Sequence, residues 1–306
     1  MKTTLGAIAL VAWAAVAPPL AGQPAPTDAA WSFGSWSYFP ASPAFLFATP
    51  WDPNRVLVVG DRSWMELETP ALPLGHLLHW MKPTWLSPEW WRGLPLDAAL
   101  IPHEAGKEGW LVVLLGGGLE FDATLEVWNA RERSLLHRFQ LSCPQYSCPY
   151  ELAWLPASGR TLEPTLLVGS SRGLEAYRPS GELLWTQPDL AAKRVNVAQV
   201  DGDPGLEIVT TGGVIFDVDS LSVQATLDRT LIADLATVDL DGDGDEEVLA
   251  VGGSQFVDVL DGATGAWLRR IGPLHSLDLG RLYLPPAEPG KPRIGFAGTQ
   301  PAWFVT

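Results

Sequence analysis

The feature that most constrains the fold of this chain is a repeat of short apolar runs that each end in glycine. Six of these runs follow one another at intervals of 40 to 56 residues, and they end at Gly60, Gly116, Gly169, Gly212, Gly252 and Gly298. Apolar or alternating segments flank the runs, and turn signals such as "PSG" (179–181) and "DGATG" (261–265) separate the later segments. Four short strands per unit at this spacing are typical of a β-propeller blade.

The repeat predicts an all-β chain: a β-propeller of six four-stranded blades, with seven as the alternative count. A two-sheet sandwich would not explain six similar units. The sixth unit supplies only three strands, so we expect a strand within residues 29–39 to complete it. Pairing of the N- and C-terminal strands would close the ring and remove the exposed sheet edges. Residues 23–306 are accordingly predicted to form a single propeller domain.

The connection between the first and second predicted strands of the fifth blade, "DLDGDGDEE", is densely acidic. Its carboxylates stand mostly at alternate positions: Asp239, Asp241, Asp243, Asp245 and Glu247. Alternating carboxylates on a loop that curves at Gly244 converge on one point, and calcium accepts several oxygen ligands in irregular geometry. An EF-hand is excluded because its twelfth position, a bidentate glutamate, is Ala250 here. The loop therefore predicts a calcium site, with the backbone carbonyl of Asp245 as a further oxygen; a solvated acidic turn without an ion is the alternative.

A weaker copy of this loop lies 40 residues earlier, in "QVDGDPGLE". Asp201, Asp203 and Glu207 keep three of the acidic positions, whereas Gln199 replaces the first aspartate and Pro204 replaces a glycine. Both loops resemble the calcium loops of FG-GAP (VCBS-type) repeats, which occur in integrin α-subunit propellers and in secreted bacterial proteins. The resemblance covers two blades. It implies a propeller in which peripheral loops of blades four and five hold structural calcium through these acidic side chains.

The N-terminus predicts export. Lys2 is followed by an apolar segment too short to span a bilayer, which is typical of a signal peptide, here residues 1–22. Later segments are also too short for membrane insertion, so we expect a secreted or periplasmic protein, or one at the cell surface. In an oxidising compartment, Cys143 and Cys148 are expected to form a disulfide, with a metal pair as the alternative. The net charge of −15 argues against nucleic acid as a partner.

The tryptophans give the best indication of a ligand. Trp85, Trp90 and Trp91 cluster in the proline-broken connection predicted between the first two blades. Exposed aromatic side chains in a loop form a binding platform for sugar rings or for a protein. The alternative is that these rings fill the gap between blades.

Motifs for catalysis are scarce in the sequence. The five histidines are scattered, and no serine stands in a G-x-S-x-G elbow. The sequence therefore favours a non-enzymatic binding or adhesion module that recognises a glycan or a protein partner. Two alternatives stay open. One is a propeller enzyme such as a quinone-dependent (PQQ-like) dehydrogenase, because the segments "GELLW" and "GATGAWL" resemble the repeats of those enzymes. The other is a fragment of a larger surface protein.

Overall fold

A computed structural model shows the fold for most of the repeat region. The described residues are 31–33, 44–52, 55–60, 64–68, 82–86, 94–103, 108–116, 123–141, 149–157, 164–170, 173–190, 192–228, 232, 234–252, 256–272, 281–283, 294–297 and 304–305. The chain divides into two compact units, residues 1–145 and residues 146–306. The signal peptide, Trp90, Trp91 and both cysteines fall outside the described residues.

The first unit contains two antiparallel sheets, numbered one and two in chain order. Sheet one comprises β1 (Trp31–Phe33), β2 (Ala44–Ala48), β3 (Arg55–Val59), β4 (Trp64–Glu68) and β5 (Lys82–Leu86). Sheet two comprises β6 (Leu94–His103), β7 (Glu108–Gly116), β8 (Thr124–Asn129) and β9 (Ser134–Gln140). In both sheets each strand pairs with the next strand along the chain.

The second unit continues the same meander through four more sheets. Sheet three comprises β10 (Pro149–Leu155), β11 (Thr165–Ser170), β12 (Gly173–Tyr177) and β13 (Leu183–Gln187). Sheet four comprises β14 (Val195–Ala198), β15 (Glu207–Thr210), β16 (Val214–Asp217) and β17 (Ser222–Thr226). Sheet five comprises β18 (Asp234–Val238), β19 (Glu247–Val251), β20 (Val257–Leu260) and β21 (Trp267–Ile271). Sheet six comprises β22 (Arg281–Tyr283), β23 (Ile294–Ala297) and β24 (Phe304–Val305).

The predicted glycine-ended runs are strands in all six sheets, namely β3, β7, β11, β15, β19 and β23. Strands β11 and β15 are buried along their whole length, as apolar runs without alternation require. The last strands of sheets two to five, β9, β13, β17 and β21, are partly or largely exposed, and β9 and β21 carry arginine side chains. The predicted turns "PSG" and "DGATG" join β12 to β13 and β20 to β21. The apolar pattern therefore predicted the glycine-ended strands and these two turns correctly.

Apolar cores lie between neighbouring sheets within each unit. One core joins sheets three and four and includes Leu167, Leu174, Ile208 and Phe216. Burial of each such side chain stabilises the fold by about 1.5–3 kcal/mol. The first strands of successive sheets in the second unit, β10, β14, β18 and β22, contact one another in order. Within each unit the sheets thus pack face to face, and the last strands of sheets two to five lie toward solvent.

Buried acidic side chains on third strands form a second repeated feature. Glu126 accepts from the Arg138 Nε on the neighbouring strand at 2.8 Å, and Asp258 accepts from the Arg270 Nε at 2.8 Å. The exposed Trp267 also donates its indole N–H to Asp258 at 3.0 Å. These pairs place a positive charge beside each buried carboxylate and fix the register of the outer strands.

The predicted pairing of the two termini is wrong for the N-terminal strand that the structure describes. β1 pairs with β2, with Trp31 opposite Leu46, and lies at the edge of sheet one. It does not join β22, β23 and β24 in sheet six. The local pairing closes a short loop, and a short loop loses less chain entropy than a connection between the two ends of the chain. Among the described residues, no helix has the length and apolar character needed to cross a membrane.

Candidate metal centre

The more acidic loop joins β18 to β19, which are the first and second strands of sheet five, as predicted. We call it the 239–247 loop. Val238 and Glu247 are Cα partners at its base, so the acidic residues between them project from one end of the sheet. Carboxylate oxygens of Asp239, Asp241 and Asp243 lie within 4.8 Å of one another. The structure therefore brings three of the predicted ligands together.

Backbone hydrogen bonds to its own carboxylates hold this loop in a tight curve. Asp239 accepts from the N–H of Gly242 at 2.6 Å and from that of Gly244 at 3.2 Å. Asp243 accepts from the N–H of Asp245 at 2.9 Å. Gly244 has φ = +102°, a conformation that residues with a Cβ rarely adopt. The curve at Gly244 that the sequence predicted is thus present.

Glu247 lies at the base of the loop rather than in the three-residue group. Its Oε2 accepts from the N–H of Leu240 at 2.8 Å, which ties the start of the loop to the start of β19. Burial raises the pKa of Glu247; the hydrogen bond from Leu240 opposes the rise, and the charges of Asp241 and Asp243 add to it. The hydrogen bond from the Leu240 N–H therefore keeps the Glu247 carboxylate in place despite repulsion from Asp241 and Asp243.

The weaker copy joins β14 to β15, the equivalent strands of sheet four, and we call it the 199–207 loop. Carboxylate oxygens of Asp201, Asp203 and Glu207 lie within 4.8 Å of one another. Glu207 is 1% exposed, and its Oε2 accepts from the N–H of Val200 at 3.0 Å. All three predicted ligands of this loop thus come together.

The surroundings of Glu207 disfavour its charge. Burial raises the pKa of Glu207 to about 7; the hydrogen bond from Val200 opposes this rise, and the charges of Asp201, Asp203 and Asp217 add to it. Asp217 lies at the end of β16 as the cross-strand partner of Glu207. Four carboxylates therefore face one another at this end of sheet four, and a cation would relieve their repulsion.

Two glutamine amides donate to the 199–207 loop, one to a carboxylate and one to a backbone carbonyl. Gln224, on β17, donates from Nε2 to Asp201 Oδ2 at 2.7 Å, and Gln199 donates from Nε2 to the carbonyl of Asp203. Sequence reasoning missed both Asp217 and Gln224 because they lie on later strands. Only the strand register brings them to this loop, although an acidic residue at the end of the third strand was visible in "FDVDS".

The two loops adjoin at one end of sheets four and five. Glu246 donates its backbone N–H to the carbonyl of Gln199 at 2.7 Å. The carboxylate of Asp245 lies against Gly202, where a Cβ would be 3.2 Å from Oδ1. The turn after β20 completes the contact, since a Cβ on Gly262 would lie 2.1 Å from the carbonyl oxygen of Glu246. The predicted sites therefore form one continuous acidic surface.

The remaining predicted site residues lie apart from this surface in the sequence. Trp85 is in β5 with Glu66 as its Cα partner, so its predicted place in a connection between blades is wrong. Pro83 misled the prediction, because an edge strand tolerates a proline that lacks the donor N–H. Trp90 and Trp91 lie outside the described residues, as do Cys143 and Cys148, and the platform and disulfide stay predictions.

Comparisons with known proteins identify a fold and no family. No protein-family profile matches the chain, and no curated protein matches it in sequence. A crystal structure of BBS1N in complex with ARL6DN, soaked with mercury, matches with a TM-score of 0.57 at 11% identity. The match covers 81% of this chain and 72% of that chain. The chain is therefore all-β and propeller-like in fold.

Proposed function

We propose that this chain is a six-bladed, calcium-braced propeller of the FG-GAP (VCBS) type that acts as an exported binding module. One observation carries the calcium assignment: two three-carboxylate groups occupy equivalent loops of neighbouring sheets. Repetition at the same structural position distinguishes them from acidic residues scattered over a surface. Equivalent loops that keep converging oxygens are what a repeated metal site requires.

Calcium is the favoured ion for two reasons. Hard divalent cations take oxygen ligands, and calcium tolerates the irregular arrangement that a loop offers, whereas magnesium requires near-octahedral geometry. Extracellular calcium is millimolar, and sites in exported modules bind it with dissociation constants of about 10⁻⁴ to 10⁻³ M. One ion at such concentrations stabilises the folded state by about 0.4–1.4 kcal/mol. The ions would brace the loops and perform no catalysis.

Thermal unfolding of the full chain tests the calcium assignment. We expect Tm to rise by about 2–4 °C in millimolar calcium relative to EDTA, and by less in magnesium. Substitution of Asp239, Asp241, Asp201 and Asp203 by asparagine is expected to abolish the rise. Asp189→Asn, which removes an exposed carboxylate beyond β13, is the matched control and should keep it. An identical Tm in calcium and EDTA would rule out the braced propeller.

The proposed ligand of the module is a glycan or a protein, recognised through the tryptophan segment that includes Trp85, Trp90 and Trp91. Support comes from the clustering of aromatic side chains in the sequence and from the predicted export of the chain. The calcium loops would hold the binding scaffold in shape rather than contact the ligand.

A glycan array with the mature chain, residues 23–306, tests this role. We expect hits in calcium that are lost in the Trp90→Ala, Trp91→Ala variant and retained in Trp267→Phe, which changes an exposed indole on β21. Hits that survive the double substitution would move the site elsewhere. A blank array with folded protein would exclude a glycan and leave a protein partner.

A further inference from the structure

The outer edge of sheet five is a surface that neither the acidic loops nor the tryptophan segment uses. We propose that the exposed edge of β21 (Trp267–Ile271) binds an extended acidic segment of a partner protein, which pairs with β21 as an added strand. We call this surface the β21 edge. The inference goes beyond the proposed function, because it assigns a second interaction surface and depends on neither calcium nor a glycan.

Among the described strands, β21 has a neighbour on one side only. Sheet five runs in the order β18-β19-β20-β21, and Arg270 on β21 lies opposite Asp258 on β20. The first four residues of β21 are exposed, and Ile271 is half-buried. The backbone N–H and C=O groups that point away from β20 can therefore pair with an added strand, as edge strands do when they bind extended peptides.

Two adjacent apolar side chains give the β21 edge a contact surface that a partner strand would bury. Trp267 is 47% exposed and Leu268 is 48% exposed. The indole N–H of Trp267 donates to Asp258 Oδ1 at 3.0 Å, so the ring is already fixed in the free chain. A fixed tryptophan loses little conformational entropy when a partner binds, and tryptophan is enriched among the residues that dominate binding energy.

The arginines of β21 determine the chemistry of the partner. Arg270 is held by Asp258 at 2.8 Å, and its guanidinium carbon lies 5.1 Å from the centre of the Phe256 ring. Arg269 is exposed and forms no ion pair within the part of the chain that the structure describes. A carboxylate on an added strand would pair with this charge, so the edge favours an acidic segment.

The other outer strands lack this combination. β13 (LLWTQ) and β17 (SVQAT) expose Leu183 and Val223 but contain no charged residue. β9 contains Arg138, but Glu126 accepts from its Nε at 2.8 Å. Of these four outer strands, β21 therefore places an arginine without an ion pair among the described residues beside two exposed apolar side chains.

A second copy of the chain fits the β21 edge poorly. Antiparallel pairing of two β21 strands about a two-fold axis at Arg269 would place this arginine opposite its own copy, and like charges directly opposite each other are destabilising. The net charge of −15 adds to the repulsion between copies.

An acidic segment meets the same net charge but can avoid most of its effect. The strand register places Trp267 at the end of sheet five that carries the 239–247 loop and places Arg270 towards the opposite end. Repulsion from exposed charges is screened beyond about 8 Å at physiological ionic strength. Acidic residues of the partner are therefore expected opposite Arg269 and Arg270, and an apolar residue beside Trp267.

Fluorescence anisotropy with the full chain in EDTA tests the proposal without any bound calcium. The probe is a fluorescein-labelled peptide in which valine and glutamate alternate. One control peptide has lysine in place of glutamate, and a second has proline in place of the central valine. We expect both controls to bind about ten-fold more weakly, because lysine is repelled by Arg269 and proline removes an N–H that strand pairing needs.

Substitutions on the outer strands assign the binding to β21. Arg269→Glu should weaken binding of the acidic peptide about three- to ten-fold and strengthen binding of the lysine peptide. Arg269→Lys keeps the charge and should retain most of the affinity. Trp267→Ala should weaken binding about ten-fold through lost apolar contact. Thr186→Glu, which adds a negative charge at an exposed position of β13, is the matched control and should leave the affinity unchanged.

Each other result would overturn the proposal. No binding of the acidic peptide, equal binding of the lysine peptide, or an unchanged dissociation constant in Arg269→Glu would exclude an acidic partner at this edge. Equally tight binding of the proline peptide would exclude strand pairing. A wild-type dimer in analytical ultracentrifugation that Trp267→Ala abolishes would assign the edge to a second copy instead. The Tm of Arg269→Glu shows whether the variant is folded, and Arg269→Gln, which removes the charge without reversing it, gives a second test of the same contact.

Discussion

The 239–247 loop and the 199–207 loop occupy the same position in neighbouring sheets but balance their charges differently. In the 239–247 loop the glycines allow backbone N–H groups to bond Asp239, and Asp241 and Asp243 are exposed while the other acidic residues are half-buried. In the 199–207 loop the key carboxylate, Glu207, is 1% exposed, and the Gln224 amide donates to the Asp201 carboxylate. Water therefore screens the repulsion of the exposed carboxylates in the first loop, whereas protein groups must offset the charge of Glu207 in the second.

This difference shows that the spacing of acidic residues in the sequence indicates where a metal site lies. The spacing does not determine the affinity of that site, because the affinity depends on the surrounding contacts. The Gln224 amide in the 199–207 loop competes with an incoming cation for the Asp201 carboxylate. The 239–247 loop has no such amide among its described contacts. We therefore expect the 239–247 loop to bind calcium more tightly, and the ion-free 199–207 loop to be more sensitive to charge.

The largest effect on stability should come from a substitution of Gly262, which lies against both acidic loops. Gly262→Ala would place a Cβ 2.1 Å from the Glu246 carbonyl oxygen and 2.8 Å from Val200 Cβ, so the loops must shift. We expect a loss of about 1–3 kcal/mol in the free energy of unfolding, measured by urea denaturation in EDTA. Ala263→Gly, in the same turn, is the control for a general effect on the hairpin. Equal calcium affinity and unchanged stability in Gly262→Ala would show that the two loops are not held together there.

A comparison of the two glutamates sharpens the contrast in burial. Glu207→Gln removes a buried charge and keeps an oxygen for the Val200 N–H, so it should stabilise the calcium-free chain at pH 8 by about 1–2 kcal/mol. Glu247→Gln, at a more exposed position, should have a smaller effect in the same direction. Both variants should lose calcium-dependent stabilisation. If Glu207→Gln instead destabilised the calcium-free chain, the repulsion assigned to the Glu207 carboxylate would be contradicted.

The pH dependence of stability should report on Glu207. Its folded pKa of about 7 lies above the ordinary value of 4.5, so between these values the folded state holds more protons than the unfolded state. The stability of the calcium-free chain should therefore fall as the pH rises through this window, and be lower at pH 8 than at pH 5.5. Glu207→Gln should lose this part of the dependence in the same denaturation series, and an unaltered profile would assign the titration to other groups.

The smallest expected effect concerns Gln224. Its amide bonds Asp201 and restrains only the 199–207 loop. Gln224→Ala should lower calcium-free stability by about 0.5–1 kcal/mol and leave calcium binding at the 239–247 loop unchanged. Half-buried Gln187→Ala on β13 would serve as the control substitution if its stability change stays within about 0.5 kcal/mol. If Gln224→Ala changed the calcium affinity of the 239–247 loop, the Gln224 amide would not act on the 199–207 loop alone, and the contrast between the two loops would be weaker.

Local patterns predicted much of this molecule, and long-range register explains what they missed. The glycine-ended runs, the turn at 261–265 and the carboxylates at alternate positions are all readable within a few residues. The pairing of β1 with β2, the position of Asp217 beside Glu207 and the contact of Asp245 with Gly202 depend on which strands become neighbours. Sequence spacing alone carries no such information, so the continuity of the two loops could not be predicted.

Calcium titration calorimetry on the full chain tests the central claim most directly. The account predicts two bound ions for the wild-type chain and one for the Asp239→Asn, Asp241→Asn variant. It predicts none when Asp201→Asn and Asp203→Asn are added. Absence of calcium binding by the folded wild-type chain, or equal binding by the variant with all four substitutions, would contradict it.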